Sequence, residues 1–253
     1  MDMFWTDLPI EDGGELRYRL DEMQLIIRQN GDELTLASLE NNQEEPPAEE
    51  IPWSRFVTGS QDIKIRLTPR TPDKPVVVNP EHPVQILPGQ SARFFILLPA
   101  WIEVSVRKPS AVVISEIPTA KLSVTWFGGP MDGILSYSLN SPAIRRTDEA
   151  SLPDPGPLKI ITPLYIRNRS EELLSLQDLN IHCEHLKVYE GASRNWSNEI
   201  HISFYGGNQP SKVYYVEKKP AFEEMSKGHS DPRIKIRQDL LAKSYSFMKN
   251  FTA

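Results

Sequence analysis

The run Arg93-Phe-Phe-Ile-Leu-Leu-Pro-Ala-Trp-Ile-Glu-Val-Ser-Val106 is the most apolar stretch of the chain, and it carries a proline near its middle. Proline has no N–H to give to a sheet ladder, so Pro99 reads as a bend or a crossing between sheets, with a strand on either side. Residues 94–98 and 101–106 form those two strands. Further apolar runs at 112–114 and 121–127 follow at short intervals. Together they describe the centre of a β-sandwich or barrel.

The composition agrees with many short strands joined by turns. There are 22 prolines and 13 glycines in 253 residues, a balance unsuited to a helical bundle. That length can bury a core as one large β domain or two smaller ones. Net charge is −6, so no global basic footprint for nucleic acid exists. One cysteine, Cys183, excludes an internal disulfide and fits a reducing compartment. The N-terminal residues are acidic where a secretory signal needs bases, and no run approaches the ~20 apolar residues of a membrane span. The expectation is a soluble, cytoplasmic protein.

Along the chain, Leu16, Tyr18 and Leu20 alternate with Arg17 and Arg19, the period of a half-buried strand. Residues 23–29 and 33–39 flank Asn30-Gly31, turn chemistry that suits a tight hairpin. The acidic, proline-broken stretch 40–50 reads as a solvated loop rather than a lure for a basic partner. Ile63, Ile65 and Leu67 mark another strand. Leu87-Pro-Gly-Gln-Ser is a turn between strands, an arrangement frequent in immunoglobulin-like sandwiches. Gly128-Gly-Pro-Met-Asp-Gly133 lacks the glycine spacing of a dinucleotide fingerprint and reads as a hairpin loop.

Residues 145–157 are polar and proline-rich, without an apolar period. They suggest a linker at 147–157 between units spanning 1–146 and 158–253. The halves also echo each other. Leu98-Pro-Ala-Trp-Ile102 has a counterpart in Thr162-Pro-Leu-Tyr-Ile166, and Val124-Thr-Trp-Phe-Gly-Gly129 in Ile202-Ser-Phe-Tyr-Gly-Gly207. Two readings remain open: a duplicated β module, or chance reuse of aromatic strand ends and glycine turns.

Residues 95–106, 121–128 and 133–139 together resemble the prokaryotic family known as domain of unknown function 432 (DUF432). Its first half carries an apolar strand, a proline and another apolar strand before an aromatic–glycine hairpin. Trp126-Phe-Gly128 stands where that family's hairpin carries Leu-Tyr-Gly. The resemblance implies no catalytic residue, because no activity is assigned to the family.

His182-Cys-Glu-His185 is the one cluster of metal-ligand types. On a strand, His182 and Glu184 project together while Cys183 lies opposite. His201, from a later strand, would complete two histidines and a carboxylate, a set that holds a transition metal with open positions. The competing reading makes Leu179, Ile181 and Cys183 the core face and leaves His182 and Glu184 as ordinary polar residues on the wet face. Nucleophile elbows, phosphate loops and zinc-protease motifs are missing from the sequence, so an enzyme is the less favoured class. Trp101, Trp126, Phe127, Phe204, Tyr205, Tyr214 and Tyr215 offer a stacking platform or, more simply, packing between sheets. Neighbours in the adjacent pairs must face opposite sides.

At the C-terminus, Asp231 is a good N-cap and Pro232 a good first helical residue. Over 231–250, Ile234, Leu240, Leu241, Tyr245, Phe247 and Met248 fall on one half of a helical wheel. The expected fold is therefore mainly β, with two sandwich-like units, duplicated and immunoglobulin-like in one version, plus a C-terminal amphipathic α-helix. The leading functional expectation is a non-enzymatic module that binds a protein partner or forms a homodimer through that helix. The alternatives are a metal-binding β protein or metal-dependent enzyme using His182, Glu184 and His201, and a small-ligand or carbohydrate-binding sandwich. No cofactor other than that divalent metal is expected, nor any nucleic-acid partner.

Overall fold

The computed structural model describes residues 4–41, 47, 49–80, 84–108, 110–131, 133–139, 154–207 and 209–235. The chain divides into two compact units of interleaved sequence: Met1–Arg70 with Pro99–Lys121, and Thr71–Leu98 with Leu122–Ala253. The expected linker at 147–157 lies largely outside the described residues.

In the first unit, β2 (Glu15–Leu20), β3 (Met23–Asn30), β4 (Glu33–Glu40) and β5 (Ser54–Val57) form an antiparallel meander. Gly31 opens the tight β3–β4 turn at φ 62°, a conformation that costs glycine nothing. A second sheet has the order β1 (Asp7–Pro9), β6 (Lys64–Arg70), β10 (Trp101–Lys108), β11 (Ser110–Pro118). Ile65, Leu67, Ile102 and Val104 are fully buried there.

The second unit is built on β14 (Lys159–Asn168), antiparallel neither to β18 (Asn195–Ser197) nor to β19 (Ile200–Phe204) but parallel to both. Pro163 sits between the two pairings, after Ile161 meets Trp196 and before Leu164 meets Ile200. A residue with no N–H thus occupies the point where the strand changes partner. The seven-stranded sheet also holds β9 (Ser91–Pro99), β17 (Val188–Gly191), β20 (Lys212–Tyr215) and β21 (Met225–Ser230). Its packing centre is Trp196, edge-on to Phe95 at 6.2 Å and stacked with Phe222 at 5.4 Å. A four-stranded sheet of order β12 (Ser123–Phe127), β13 (Ile134–Leu139), β7 (Val76–Val78), β16 (Leu179–Ile181) belongs to the same unit, its strands interleaved in sequence with those of the larger sheet. A short pair, β8 (Val84–Ile86) with β15 (Leu174–Leu176), completes the unit.

Pro99 does end one strand before the next sheet begins. β9 pairs with β14, and β10 with β6 and β11. Gly89, at φ 73°, and the Gln90 N–H to Leu87 O bond of 3.1 Å make the expected turn between β8 and β9.

Three expectations are corrected. The sheets are not immunoglobulin-like sandwiches. β13 runs parallel to β7 and β14 runs parallel to two neighbours, pairings that an antiparallel Greek-key sandwich does not contain. One of the two internal echoes also fails, because residues 98–102 cross between sheets whereas 162–166 lie inside the continuous strand β14. Finally, the described residues contain no α-helix, and residues 231–235 do not begin one. Asp231 pairs with Lys187 at 3.3 Å, and the Ile234 N–H goes to Glu184 O at 2.9 Å. Tertiary partners have taken the groups that a helical first turn needs. Ile234 is 55% exposed; Leu240, Leu241, Tyr245, Phe247 and Met248 lie outside the described residues. Among the described residues no helix is long and apolar enough to cross a membrane.

Candidate metal centre

The chain leaves β16 at Ile181 and reaches β17 at Val188 through a single 3-10 turn, Cys183–His185. Leu179, Asn180, Ile181 and His182 are all buried, so the dry/wet alternation expected of a strand is absent here. A turn of three residues per revolution stacks positions three apart, and it brings His182 and His185 to one side. Their rings lie 6.3 Å apart and within 18° of parallel.

Glu184 lies between them. Its Oε1 accepts from His182 Nδ1–H at 2.9 Å and stands 3.9 Å from His185 Nε2. Ligand-type atoms of the three side chains all fall within 4.8 Å of one another. The His182, Glu184 and His185 side chains are only 5%, 12% and 9% exposed. Burial pushes the Glu184 carboxyl up, but the His182 hydrogen bond and the charges of both histidines outweigh it and hold the group below its ordinary value. The acid is therefore ionised. Its second oxygen, Oε2, is buried without a hydrogen-bond partner.

The turn is held from outside. Thr71 Oγ1 donates to Cys183 O at 2.8 Å, and Leu186 N–H bonds the same carbonyl at 3.0 Å. The segment 231–235 closes over it. Ile234 gives its N–H to Glu184 O and accepts from His185 Nδ1 at 3.1 Å. Because a carbonyl can only accept, Nδ1 is the donor in this bond and Nε2 is the ring nitrogen turned toward Glu184. Arg233 anchors the segment on Thr71 O, with Nε at 3.1 Å. Cys183, fully buried, has its thiol pushed well up by burial and by the neighbouring Glu184 charge, which makes it inert as a nucleophile.

His201 is placed differently. Its Nε2 lies 3.0 Å from Glu199 Oε2, and its ring packs near Tyr165 at 5.2 Å and Tyr214 at 6.2 Å. His185 instead packs edge-on against Tyr215 at 5.4 Å. Adjacent residues of β20 face opposite sides, so the two histidines address opposite faces of the sheet. Three donors on one short turn are thus His182, Glu184 and His185. The signal for His185 was its spacing of three from His182, which a strand places on opposite faces and a 3-10 turn on the same one.

The aromatic pairs divide as alternation requires. Phe127 and Tyr215 are buried at 5% and 6% exposure, while Trp126 and Tyr214 are 51% and 46% exposed. Tyr214, Tyr215, Tyr189 and His185 also border a cavity of about 370 Å³.

No curated protein and no solved structure matches the chain. The family model described as "Protein of unknown function (DUF432)" matches residues 4–249, nearly the whole length and not only the central strands. The chain belongs to that family.

Proposed function

We propose that this protein binds a divalent transition metal of the zinc class through His182, Glu184 and His185. One observation carries the reading: an ionised carboxylate with an unpartnered, buried oxygen lies between two histidines whose donor atoms fall within 4.8 Å. An orphaned carboxylate oxygen away from water costs free energy that a cation would recover. Two further features support it. The His185 Nδ1–H bond to a backbone carbonyl is the outer bond by which metal-ligating histidines are usually oriented. Two nitrogens and one oxygen also suit zinc, with a position left for water or a ligand. Tetrahedral binding would draw the donors to roughly 3.4 Å apart and displace the His182–Glu184 hydrogen bond.

The interaction module expected from the sequence rested on the C-terminal helix, whose start is corrected above, and nothing among the described residues carries that reading now.

The test is titration of chelator-treated protein with Zn²⁺ and, for its visible spectrum, Co²⁺. One equivalent should bind. Glu184→Gln and His185→Ala should each weaken binding by about tenfold or more, whereas His201→Ala should leave it unchanged. Binding that survives both substitutions, or no stoichiometric binding at all, sinks the proposal. Circular dichroism of Glu184→Gln separates lost ligation from lost fold.

A further inference from the structure

The cavity beside the turn is distinct from the three donors, although His185 borders both. Tyr189, Tyr214 and Tyr215 give it aromatic walls, and Lys187, Lys235 and Glu217 carry its charges. At about 370 Å³ it falls within the ~300–1,000 Å³ range of small-molecule sites. Two of its lining residues are tied to each other: Lys187 N–H bonds Asn198 Oδ1 at 2.8 Å, and Asn198 N–H returns to Lys187 O at 3.2 Å.

Two lysines against one glutamate make the lining net cationic, in a chain whose net charge is −6. Lys187 Nζ lies 5.7 Å over the Tyr189 ring and 3.3 Å from Asp231 Oδ1. Asp231 does not line the cavity. Its side chain is 58% exposed, so this ion pair is solvent-screened and readily exchanged. Partial burial pulls the Asp231 carboxyl up, and the Lys187 bond with the charges of Lys187 and Lys235 pulls it further down. Both ammonium groups therefore already act on one carboxylate at the cavity edge.

We propose that this cavity is a binding site for a small organic anion with a ring or comparable flat apolar body. Its carboxylate or phosphate lies at Lys187 and Lys235, drawing Lys187 from its exposed pair with Asp231, and its body lies against Tyr215, on the face of β20 that His185 shares. Lysine suits this role as a mobile point charge on a flexible stem. Glu217 disfavours a ligand with a second acidic group near its ring, which sets the class at a monoacid.

The experiment is calorimetric titration of the metal-free protein at low salt with benzoate and with phenyl phosphate, phenol serving as the uncharged control. Metal-free protein keeps the outcome independent of the metal reading. Saturable one-site binding of either anion is expected below about 10 mM, with phenol weaker by about tenfold or more. A preference between the two anions identifies the acidic group. Lys235→Ala, at an exposed position that the fold does not need, should weaken binding by several-fold. Asp231→Asn should tighten it by removing the competing carboxylate. No saturable binding, equal binding of phenol, or affinity unchanged in Lys235→Ala overturns the proposal.

Discussion

His185 and Ile234 fix each other's place: the imidazole Nδ1–H donates to the Ile234 carbonyl at 3.1 Å, while the Ile234 N–H is held by Glu184 O at 2.9 Å. One residue of the 231–235 segment therefore sets both the tautomer of a candidate ligand and the backbone beneath its neighbour. The Ile234 side chain takes little part, being 55% exposed.

Ile234→Pro should accordingly lower stability by about 1–3 kcal/mol, because Glu184 O loses its donor. Ile234→Ala keeps the backbone bond and should stay within about 0.5 kcal/mol of the parent. Urea denaturation of the pair checks this. Zinc affinity should fall with the proline and not with the alanine.

Acid should loosen the turn. The ordinary Glu carboxyl titrates near 4.5, and the fold holds Glu184 below that. A depressed folded value means stability that is fully present above about pH 4.5 and is lost as pH falls through the lower folded value. Melting temperature measured from pH 6 downward without metal should fall less steeply in Glu184→Gln than in the parent below about pH 4.5. Parallel curves would assign the acid response elsewhere, for example to Glu223, which is likewise held low beside Arg194.

Asn168 tests a different part of the same unit. It is fully buried, and its amide donates to Ile86 O at 2.9 Å and Glu172 O at 2.7 Å, while its carbonyl accepts from Ser170 N–H at 3.0 Å. Asn168→Asp replaces two donated bonds by a carboxylate facing two carbonyl oxygens. The expected loss at neutral pH is about 2–5 kcal/mol. Burial raises the new acid's folded value, so the deficit should shrink as pH falls below it. A deficit independent of pH would mean that lost shape, and not charge, is responsible.

Trp196→Ala should be the most damaging of these changes, at about 3–5 kcal/mol. The indole is fully buried and contacts both Phe95 and Phe222. Trp196→Phe should recover part of the loss, read as the midpoint of chemical denaturation.

What was legible in the chain was local. Period-two alternation gave the half-buried strands β2 and β6, Gly31 and Gly89 marked turns that need positive φ, and Pro99 marked a strand end. Each of these follows from the chemistry of one residue or its nearest neighbours. The family was legible too, since its pattern is one of hydrophobic strand order. The site was only half legible: His182 and Glu184 stood out by residue type, but a strand reading faced His185 away.

The amino-acid sequence by itself determined a β-rich chain without a disulfide, its main turns, and the residue types able to hold a metal. Tertiary structure alone decided the parallel pairing of β14, the turn that gathers His182, Glu184 and His185, and the fate of residues 231–235. The physical reason is the reach of the forces. Alternation and turn propensity act within a few residues, whereas the groups that would start a helix at Asp231 and Pro232 were captured by Lys187 and Glu184. Those partners lie more than forty positions away along the chain, beyond the reach of any local capping signal.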